Sequence, residues 1–171
     1  RERELDEALA QVEKESAADV IYLVDSFGAL YSEQIAYLAK KYKGAMPSRE
    51  IGIHAHNNQQ LAFANTIEAI IQGINYLDGT IFGIGRAAGN CPLELLLGFL
   101  KNPKFNIRPI LNVLGKDFVK LREEIEWGYT IPYMITGILD LHPRAGMKLR
   151  NSEDKDEYLG FYEKLTSEAN V

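Results

Sequence analysis

Three short apolar segments alternate with amphipathic segments over the first hundred residues. Residues 19–25, 51–56 and 74–78 are predicted strands, and the first is a run of β-branched and other apolar residues typical of a strand buried on both faces. Strands that alternate with helices about every 25 to 30 residues predict βα units in a parallel sheet. We therefore expect an α/β fold.

Helices with one apolar face are predicted between and after these strands. The periodicity places the following residues on core faces, helix by helix: Leu5, Ala8, Leu9 and Val12; Ile35, Leu38, Ala39 and Tyr42; Phe63, Ile67, Ile70 and Ile71; Leu93, Leu96, Leu97 and Leu100; Leu111, Leu114, Phe118 and Leu121; Tyr158, Phe161, Tyr162 and Leu165. We also expect a short fourth strand at residues 105–108 and a helix at residues 131–139.

The composition is that of one globular domain and excludes several classes of partner. Of 171 residues, 46% are hydrophobic and 25% are charged, and the net charge of -5 comes without a basic patch that would suit nucleic acid or an anionic membrane. Apolar runs fall short of the roughly 18 residues of a membrane span. Cys91 is the single cysteine, so we expect no internal disulfide and a cytoplasmic location. Because the chain opens at Arg1 inside a helical pattern, without an initiator methionine, we expect it to be a piece of a longer protein.

The strongest chemical signal is the pair His54 and His56 near the end of the second strand. Residues i and i+2 of a strand point to the same side, so both imidazoles converge where sites form in α/β proteins. Imidazole is a good ligand for divalent transition metals. The alternative is a pair of hydrogen-bonded histidines in the core or on the surface. The position at a strand end, before Asn57 and Asn58, favours a metal.

Polar residues also follow the first and third strands. Asp25 and Ser26 would lie on the floor of the same site, although a helix cap or turn carboxylate is the commoner role for such an aspartate. A glycine-rich loop runs from Gly79 to Gly89, and its glycines would let the backbone approach a ligand. The loop is too long for the tight turn of a dinucleotide fingerprint. Asn90 would face the site, cap the next helix, or do both.

Two tyrosines in the C-terminal part are candidates for proton transfer. Tyr129 and Tyr133 lie four residues apart, and a phenol in a pocket can act as a general acid or orient a substrate. Packing is the alternative role for both. We expect His142 to be structural, and Lys148 and Arg150 to belong to a solvated face.

Together these motifs resemble the DRE-TIM metallolyases, the superfamily of HMGL-like and pyruvate carboxyltransferase-like domains. Three motifs carry the resemblance in order: Val24-Asp25-Ser26-Phe27-Gly28, then His54-Ala55-His56-Asn57-Asn58 with Leu61-Ala62-Phe63-Ala64-Asn65, then Asp78-Gly79-Thr80 through Gly89-Asn90. The 4-hydroxy-2-oxovalerate aldolases are the most similar branch, since they too have Asn after the second His and a late segment like Gly128 to Tyr133. Arg86 stands where those aldolases usually have a small residue, so the tail of the substrate is left open.

The resemblance implies the C-terminal half of a TIM (β/α)8 barrel, strands five to eight, plus C-terminal helices. Residues 1–145 would form the half-barrel and residues 146–171 a C-terminal helical tail. His54 and His56 would be metal ligands on strand six. The third protein ligand, an Asp, and an Arg that stabilises the enolate would belong to the first half of the barrel, which is not in this sequence.

The implied activity is that of a metal-dependent class II aldolase, which cleaves a 4-hydroxy-2-oxo acid to pyruvate and an aldehyde. Mn²⁺ or Mg²⁺ is the first choice of metal, with Co²⁺ and Zn²⁺ as alternatives. Tyr133, with Tyr129 second, would be catalytic, and the substrate would contact Asp25, Ser26, Asn58 and Asn90. The expected partners are a 2-oxo acid, the missing N-terminal half-barrel, and a second copy of the chain or a partner dehydrogenase.

Two other functions remain open at this stage. The first is an acyl-CoA Claisen synthase or lyase of the same superfamily, which Asn57 disfavours because those branches usually have Asp there. The second is a non-catalytic half-barrel that kept the fold and lost the site. Under either aldolase or synthase chemistry, we expect this fragment alone to be inactive.

Overall fold

The computed structural model describes residues 2–169 and confirms the alternation of strands and helices over the first hundred residues. The strands are β1 (Val20–Asp25), β2 (Glu50–Ala55) and β3 (Tyr76–Leu77). The helices are α1 (Glu2–Glu15), α2 (Ser32–Ala45), α3 (Ala62–Ile71), α4 (Leu93–Leu100), α5 (Arg108–Val113), α6 (Val119–Glu124), α7 (Ile131–Ile138), α8 (Arg144–Arg150) and α9 (Tyr158–Ala169). A 3₁₀ turn spans Ile81–Gly83, and a π-helical turn, Leu114–Phe118, joins α5 to α6. Within residues 2–169, no helix is long and apolar enough to cross a membrane.

The strands form a parallel sheet with β2 in the centre. β1 pairs with β2 along its whole length, ending with Asp25 opposite Ala55, and β3 pairs with β2 at Tyr76 and Leu77. Parallel pairing brings the carboxyl ends of the strands to one edge of the sheet. Asp25 and the histidine pair therefore come to the same edge.

β1 is not buried on both faces, which corrects the prediction from its apolar sequence. Val24 is 45% exposed, whereas Leu23 beside it is 1% exposed. Among the described residues β1 pairs with β2 alone, so it is an edge strand. Residues 2–169 therefore cover only one face of this apolar strand near its end.

The predicted fourth strand at residues 105–108 does not form. The side-chain oxygen of Asn106 accepts the N–H of Arg108 at 3.0 Å, and Pro109 stands in the first turn of α5. Proline suits the first turn of a helix and cannot donate to a sheet, so this sequence starts a helix instead. The sheet of residues 2–169 has three strands, not the four that strands five to eight of a barrel would supply.

Helix α3 turns its small residues inward, contrary to the predicted apolar face. Its buried residues are Ala62, Asn65, Thr66 and Ala69. Ile71, from the predicted core face, is 69% exposed. Phe63 packs edge-to-face against Phe99 of α4, with ring centroids 6.0 Å apart. The small side chains allow α3 to approach the sheet closely, while Phe63 contacts α4 instead.

The main core lies in the part of the chain before α4. Its buried residues are Leu9, Leu23, Ile35, Ala39, Met46, Ile51, Ile53, Ala55, Ala62, Ala69, Ile74 and Cys91.

In the C-terminal part, α7 and α9 confirm the helices predicted there. Helix α8 was not predicted, and the proposed domain boundary at residue 145 falls inside it. The prediction that Arg150 belongs to a solvated face is wrong. Its side chain is 19% exposed, is paired with Glu126 and lies over the ring of Tyr133.

Candidate metal centre

His54 and His56 lie together at the carboxyl end of β2. His54 is inside the strand, and His56 follows its last residue in an isolated antiparallel bridge with Asn90. The ring centroids are 4.9 Å apart, and the ring planes meet at 76°. The i, i+2 spacing on the strand thus produces two adjacent imidazoles that are both partly open to solvent.

Each imidazole is anchored through its Nδ1 atom. Nδ1 of His54 lies 3.0 Å from a carboxylate oxygen of Asp78, and Nδ1 of His56 lies 2.9 Å from the backbone carbonyl oxygen of Asp25. Because a carbonyl oxygen only accepts, Nδ1 of His56 carries the hydrogen, and the lone pair of its neutral ring is on Nε2. Histidines that ligate metals are held in this way by a carboxylate or a carbonyl. Each ring therefore leaves its Nε2 atom available to bind a ligand.

The electrostatic surroundings favour the neutral, metal-binding form of His56. Burial lowers its pKa, and the charges of His54 and Arg86 lower it further, while the hydrogen bond to the Asp25 carbonyl acts in the opposite direction. A neutral imidazole is the form that a metal binds, so a lowered pKa reduces competition from protons.

Asp78 is a site residue that was not predicted from the sequence. It follows β3, as Asp25 ends β1, and its carboxylate orients His54. Burial raises the pKa of Tyr22, and the charge of Asp78 and its hydrogen bond to Tyr22 raise it further. The signal was available in the sequence, since Asp78 is a carboxylate at the end of a predicted strand beside the strand that carries the histidines.

Asp25 has the role of a turn carboxylate. Its side chain is 3% exposed and accepts the backbone N–H groups of Ala29 at 3.0 Å and Leu30 at 3.3 Å. Burial raises its pKa, and these N–H bonds partly offset that effect. The turn fixes the carbonyl that holds His56, so the geometry makes Asp25 a positioning residue. Ser26, next to it, is exposed.

The two predicted asparagines lie in different surroundings. Asn58 is 2% exposed, and its side-chain amide donates to the backbone carbonyl of Tyr133 at 3.3 Å, so it joins the β2 end to α7. Asn90 is half-buried opposite His56, and its amide donates to the carbonyl of Ile84 at 3.1 Å. The side-chain oxygen of Asn90 is left to accept a hydrogen bond or to bind a cation.

The glycine-rich loop is held against the histidine strand in an unusual backbone conformation. Positive φ angles occur at Phe82 (56°), Gly83 (63°), Ala87 (55°) and Gly89 (77°). The carbonyl of Gly89 accepts the N–H of Asn57 at 2.9 Å. These conformations fold the loop back over the end of β2, which places its residues at the rim of the candidate centre.

Among residues 2–169, no hydrogen bond or ring contact joins Tyr133 or Tyr129 to His54 or His56. Tyr133 is 7% exposed, and the guanidinium of Arg150 on α8 lies 5.3 Å from the centre of its ring. Burial raises the pKa of Tyr133. Tyr129 is 43% exposed. The structure brings Asp25, His54, His56 and Asn90 to one edge of the sheet, and it packs the ring of Tyr133 against α8.

The donor set fits a divalent metal as part of a coordination sphere. Two imidazoles with anchored Nδ1 atoms suit such an ion, and Asn90 is bridged to His56 on the neighbouring segment. Among the described residues, no group of three His, Cys, Asp or Glu side chains could hold a metal ion. A metal here would need further ligands from substrate oxygens or from outside this chain.

The fold and the site define an α/β protein with a paired-histidine centre at the carboxyl end of a parallel sheet. Comparison with known proteins agrees: the chain belongs to the HMGL-like family, which it matches over residues 2–117. It is 40% identical over 110 residues to a 4-hydroxy-2-oxovalerate aldolase of Thermus thermophilus, a match that covers 64% of this chain and 30% of that protein. A second such aldolase, from Thermomicrobium roseum, is 36% identical over 126 residues, covering 74% of this chain and 32% of that protein. The chain thus spans about a third of the length of these relatives.

Solved structures support the same fold. The N-terminal domain of a proposed aldolase from Bacteroides vulgatus aligns with a TM-score of 0.74 and 34% identity, over 84% of this chain and 48% of that one. The carboxyl transferase domain of Rhizobium etli pyruvate carboxylase aligns with a TM-score of 0.68 at 16% identity, over 95% of this chain and 28% of that one. At that identity the second likeness concerns the fold alone.

Proposed function

We propose that the protein containing this chain is a metal-dependent class II aldolase that cleaves a 4-hydroxy-2-oxo acid to pyruvate and an aldehyde, or joins them. The observation that carries the proposal is the anchored pair, with Nδ1 of His54 on Asp78 and Nδ1 of His56 on the Asp25 carbonyl. Two rings fixed in this way are prepared for a ligand at both Nε2 atoms. The names of the relatives support the choice of substrate.

His54 and His56 would hold the metal, with Mn²⁺ or Mg²⁺ as first choice and Co²⁺ or Zn²⁺ as alternatives. When bound, a divalent ion supplies Lewis acidity for the negative charge that develops on the 2-oxo oxygen. Asp78 and the carbonyl of Asp25 keep the two rings in their ligand orientation. Asp25, Ser26, Asn58 and Asn90 are the proposed substrate-side residues, with Asp25 and Asn58 acting through the backbone that they position.

The reaction needs one proton to leave the substrate and one to return. A base removes the proton of the C4 hydroxyl, the C3–C4 bond breaks, and the aldehyde departs. The electron pair of that bond stays with pyruvate as its enolate until C3 is protonated. We assign that protonation to Tyr133, with Tyr129 as second choice. The raised pKa of Tyr133 keeps its phenol protonated at neutral pH, as an acid must be.

We further propose that the complete protein adds the elements that this chain lacks. Residues 1–145 would form the second half of a (β/α)8 barrel and residues 146–171 a helical tail. The first half would supply a third protein ligand and a cation for the enolate. A second copy of the chain or a dehydrogenase that consumes the aldehyde would be the macromolecular partner, and the cytoplasm the location.

The test uses the complete protein, stripped of metal with a chelator and then reloaded with Mn²⁺ or Mg²⁺. Two reactions are followed: exchange of the C3 hydrogens of pyruvate in D₂O, and cleavage of 4-hydroxy-2-oxovalerate. We expect both only in the reloaded protein, with pyruvate and acetaldehyde formed in equal amounts and without coenzyme A. The exchange reports enolate formation without any aldehyde.

Two results would overturn the proposal. A metal-loaded protein that neither exchanges pyruvate nor cleaves the oxo acid supports the non-catalytic half-barrel. Condensation that requires an acyl-CoA supports the synthase or lyase alternative.

A further inference from the structure

The glycine-rich loop between β3 and α4 is held from outside the sheet by residues that the proposed reaction does not use. Trp127, in the segment between α6 and α7, is 3% exposed. Its Nε1–H donates to the backbone carbonyl of Phe82 at 2.8 Å, and the two rings meet edge-to-face with centroids 5.9 Å apart. The N–H of Gly128 donates to the carbonyl of Ala87 at 3.2 Å. Two adjacent residues of this segment therefore hold the loop at two points.

Two further contacts surround the same tryptophan. The guanidinium carbon of Arg122 on α6 lies 4.8 Å from the centre of the Phe82 ring and 5.8 Å from the centre of the Trp127 ring. A cation over aromatic faces is an attractive contact, so Arg122 adds to the hold on the loop. On the loop side, a Cβ built on Gly89 would lie 3.6 Å from Cδ1 of Trp127, which shows that the backbone of Gly89 lies beside the indole.

The end of the loop holds the backbone of His56 in turn. Two backbone hydrogen bonds join the loop to β2 and its extension, one on each side of His56. The N–H of Asn57 donates to the carbonyl of Gly89 at 2.9 Å, and the N–H of Cys91 donates to the carbonyl of Ala55 at 3.2 Å. Because β2 ends at Ala55, the position of His56 depends on this loop as well as on the sheet.

A hydrogen bond inside the loop connects these two sets of contacts. The N–H of Asn90 donates to the carbonyl of Gly83 at 3.0 Å, and Gly83 directly follows Phe82, which Trp127 holds. Asn90 is also the residue that is bridged to His56. A displacement of the loop at Phe82 would therefore be transmitted to the backbone of His56.

We propose that Trp127 is a positioning residue for the candidate metal centre, because it fixes the loop whose end fixes His56. This inference rests on the proposed metal-dependent function. Trp127 contacts neither the two imidazoles nor a bound ligand, so it acts through the loop. Loss of its contacts should increase the share of molecules with a displaced loop, and the apparent metal affinity should fall with the share that remains competent to bind.

The first test is the dissociation constant of Mn²⁺, measured by titration calorimetry on the complete protein after removal of bound metal. Trp127→Phe keeps a ring against Phe82 but loses the Nε1–H donor, so the dissociation constant should rise roughly 2- to 10-fold, the range of one net hydrogen bond. Trp127→Ala also loses the ring contact and should raise it roughly 10-fold or more, though less than His56→Ala does.

Phe63→Ala is the matched control for these substitutions. Phe63 on α3 and Phe99 on α4 form a second edge-to-face pair outside the loop, with centroids 6.0 Å apart and ring planes at 86°, against 84° for Phe82 and Trp127. Loss of this pair should lower the free energy of unfolding and leave the dissociation constant of Mn²⁺ unchanged.

A spectroscopic test needs neither metal nor substrate. In the metal-free complete protein labelled with ¹⁵N-histidine, two-bond ¹H–¹⁵N spectra at alkaline pH show which ring nitrogen carries the hydrogen. For His56 we expect the hydrogen on Nδ1 in the wild type, where the Asp25 carbonyl accepts it, and a mixture of both tautomers in Trp127→Ala. His54, anchored on Asp78, should change less. The signals are assigned by their loss in His54→Ala and His56→Ala.

A merely structural role for Trp127 gives a different result. It lowers the free energy of unfolding in urea but leaves the Mn²⁺ dissociation constant and the His56 tautomer as in the wild type, which would overturn the proposal. Equal weakening of metal binding by Phe63→Ala would overturn it too, since the effect would then be a general loosening of the fold. If Trp127→Ala does not fold, the same two measurements on Trp127→Phe decide.

These measurements are separate from the proposed aldolase reaction. A protein that responds to Trp127→Ala as expected, but neither exchanges pyruvate nor cleaves the oxo acid, retains the positioning role and loses the aldolase proposal. A protein that exchanges pyruvate, while its metal affinity is the same in both Trp127 variants as in the wild type, retains the aldolase proposal and loses the positioning role alone. A wild-type protein that binds no metal overturns both.

Discussion

Polar side chains are held in different ways in two regions of the molecule. We call β1 to Asn90 the sheet region and α5 to α9 the helical region. In the sheet region, His54 and His56 are each fixed by an atom that a neighbouring strand supplies, Asp78 after β3 and the carbonyl of Asp25 in β1. In the helical region, Tyr133 and Arg150 are fixed by contact with each other across two short helices.

This difference indicates which region can hold metal ligands and catalytic side chains in fixed orientations. Strand ends are held by ladder hydrogen bonds, so the orientation of a ring anchored to them is set by the backbone. The helical region is joined to the sheet region through loops, for example by Trp127 Nε1, which donates to the carbonyl of Phe82 at 2.8 Å, and by Asn58 on the carbonyl of Tyr133. We therefore expect metal chemistry to depend on the sheet region more than on the helices.

The largest expected effect comes from isolating this chain. Residues 1–171 alone should have no aldolase activity and should bind metal poorly, because a catalytic centre of this type needs about three protein ligands and only two imidazoles converge here. The open edges of β1 and β3 should lead the fragment to dimerise or aggregate. Pyruvate release from 4-hydroxy-2-oxo acids with Mn²⁺ and the mass in solution are the measurements. A soluble monomer that turns over as fast as the complete protein contradicts the half-barrel proposal.

Removal of either metal-ligand candidate should come next. His54→Ala and His56→Ala in the complete protein should each weaken metal binding by roughly 100-fold or more, as the loss of a direct ligand exceeds the effect of an outer contact. Metal content after dialysis and titration calorimetry measure this. His142→Asn provides a third-histidine control for metal content alone. Unchanged metal content in both single variants refutes the centre.

Tyr133→Phe tests whether a residue of the helical region takes part in the proposed reaction. If Tyr133 protonates C3 as proposed, turnover should fall roughly 10²-fold with little change in KM, because the interaction exists only in the transition state. Tyr162→Phe, at an exposed tyrosine of α9 that the proposed reaction does not use, is the matched control. Steady-state kinetics in which Tyr133→Phe stays within about twofold of wild type would reduce Tyr133 to a packing residue.

Asp78→Asn tests the anchoring of His54 rather than its ligation. Loss of the carboxylate should weaken metal binding by roughly 10-fold, and at most 100-fold, because the ring remains but its orientation and basicity change. Metal titration calorimetry is the readout, with Asp19→Asn, on an exposed carboxylate at the opposite end of β1, as control. Equal affinities for Asp78→Asn and wild type would mean that the contact is incidental.

The smallest effect concerns the joint between the two regions. Gly28 has a φ of +59°, and a Cβ there would lie 2.7 Å from Cβ of Asn58, so Gly28→Ala should cost about 2 kcal/mol or more of unfolding free energy. Gly44→Ala, at an exposed position of helix α2 where a Cβ meets nothing within 4 Å, should instead stabilise by about 0.5–1 kcal/mol. Urea unfolding of both variants measures the contrast. A neutral Gly28→Ala would show that the turn relaxes freely.

Sequence periodicity was sufficient to predict the order of strands and helices in the sheet region, because the same βα unit repeats there, but not which faces they bury. It failed at residues 105–108, where Asn106 and Pro109 start a helix, and on α3, where Ala62 and Ala69 rather than the larger residues face inward. Spacing alone paired His54 with His56. The sequence puts Asp78 at the end of a predicted strand, but its contact with His54 depends on strand register, which no local pattern contains.

The backbone of the loop between β3 and α4 also bears on how the protein could diversify. Four positions there, Phe82, Gly83, Ala87 and Gly89, adopt positive φ angles, and a side chain at Gly83 or Gly89 would add strain that glycine avoids. Arg86 lies among them without this constraint, and its side chain is exposed. Evolution could therefore exchange residue 86 while the surrounding chain path stays intact. A difference at residue 86 between relatives would therefore leave both the loop path and the metal centre unchanged.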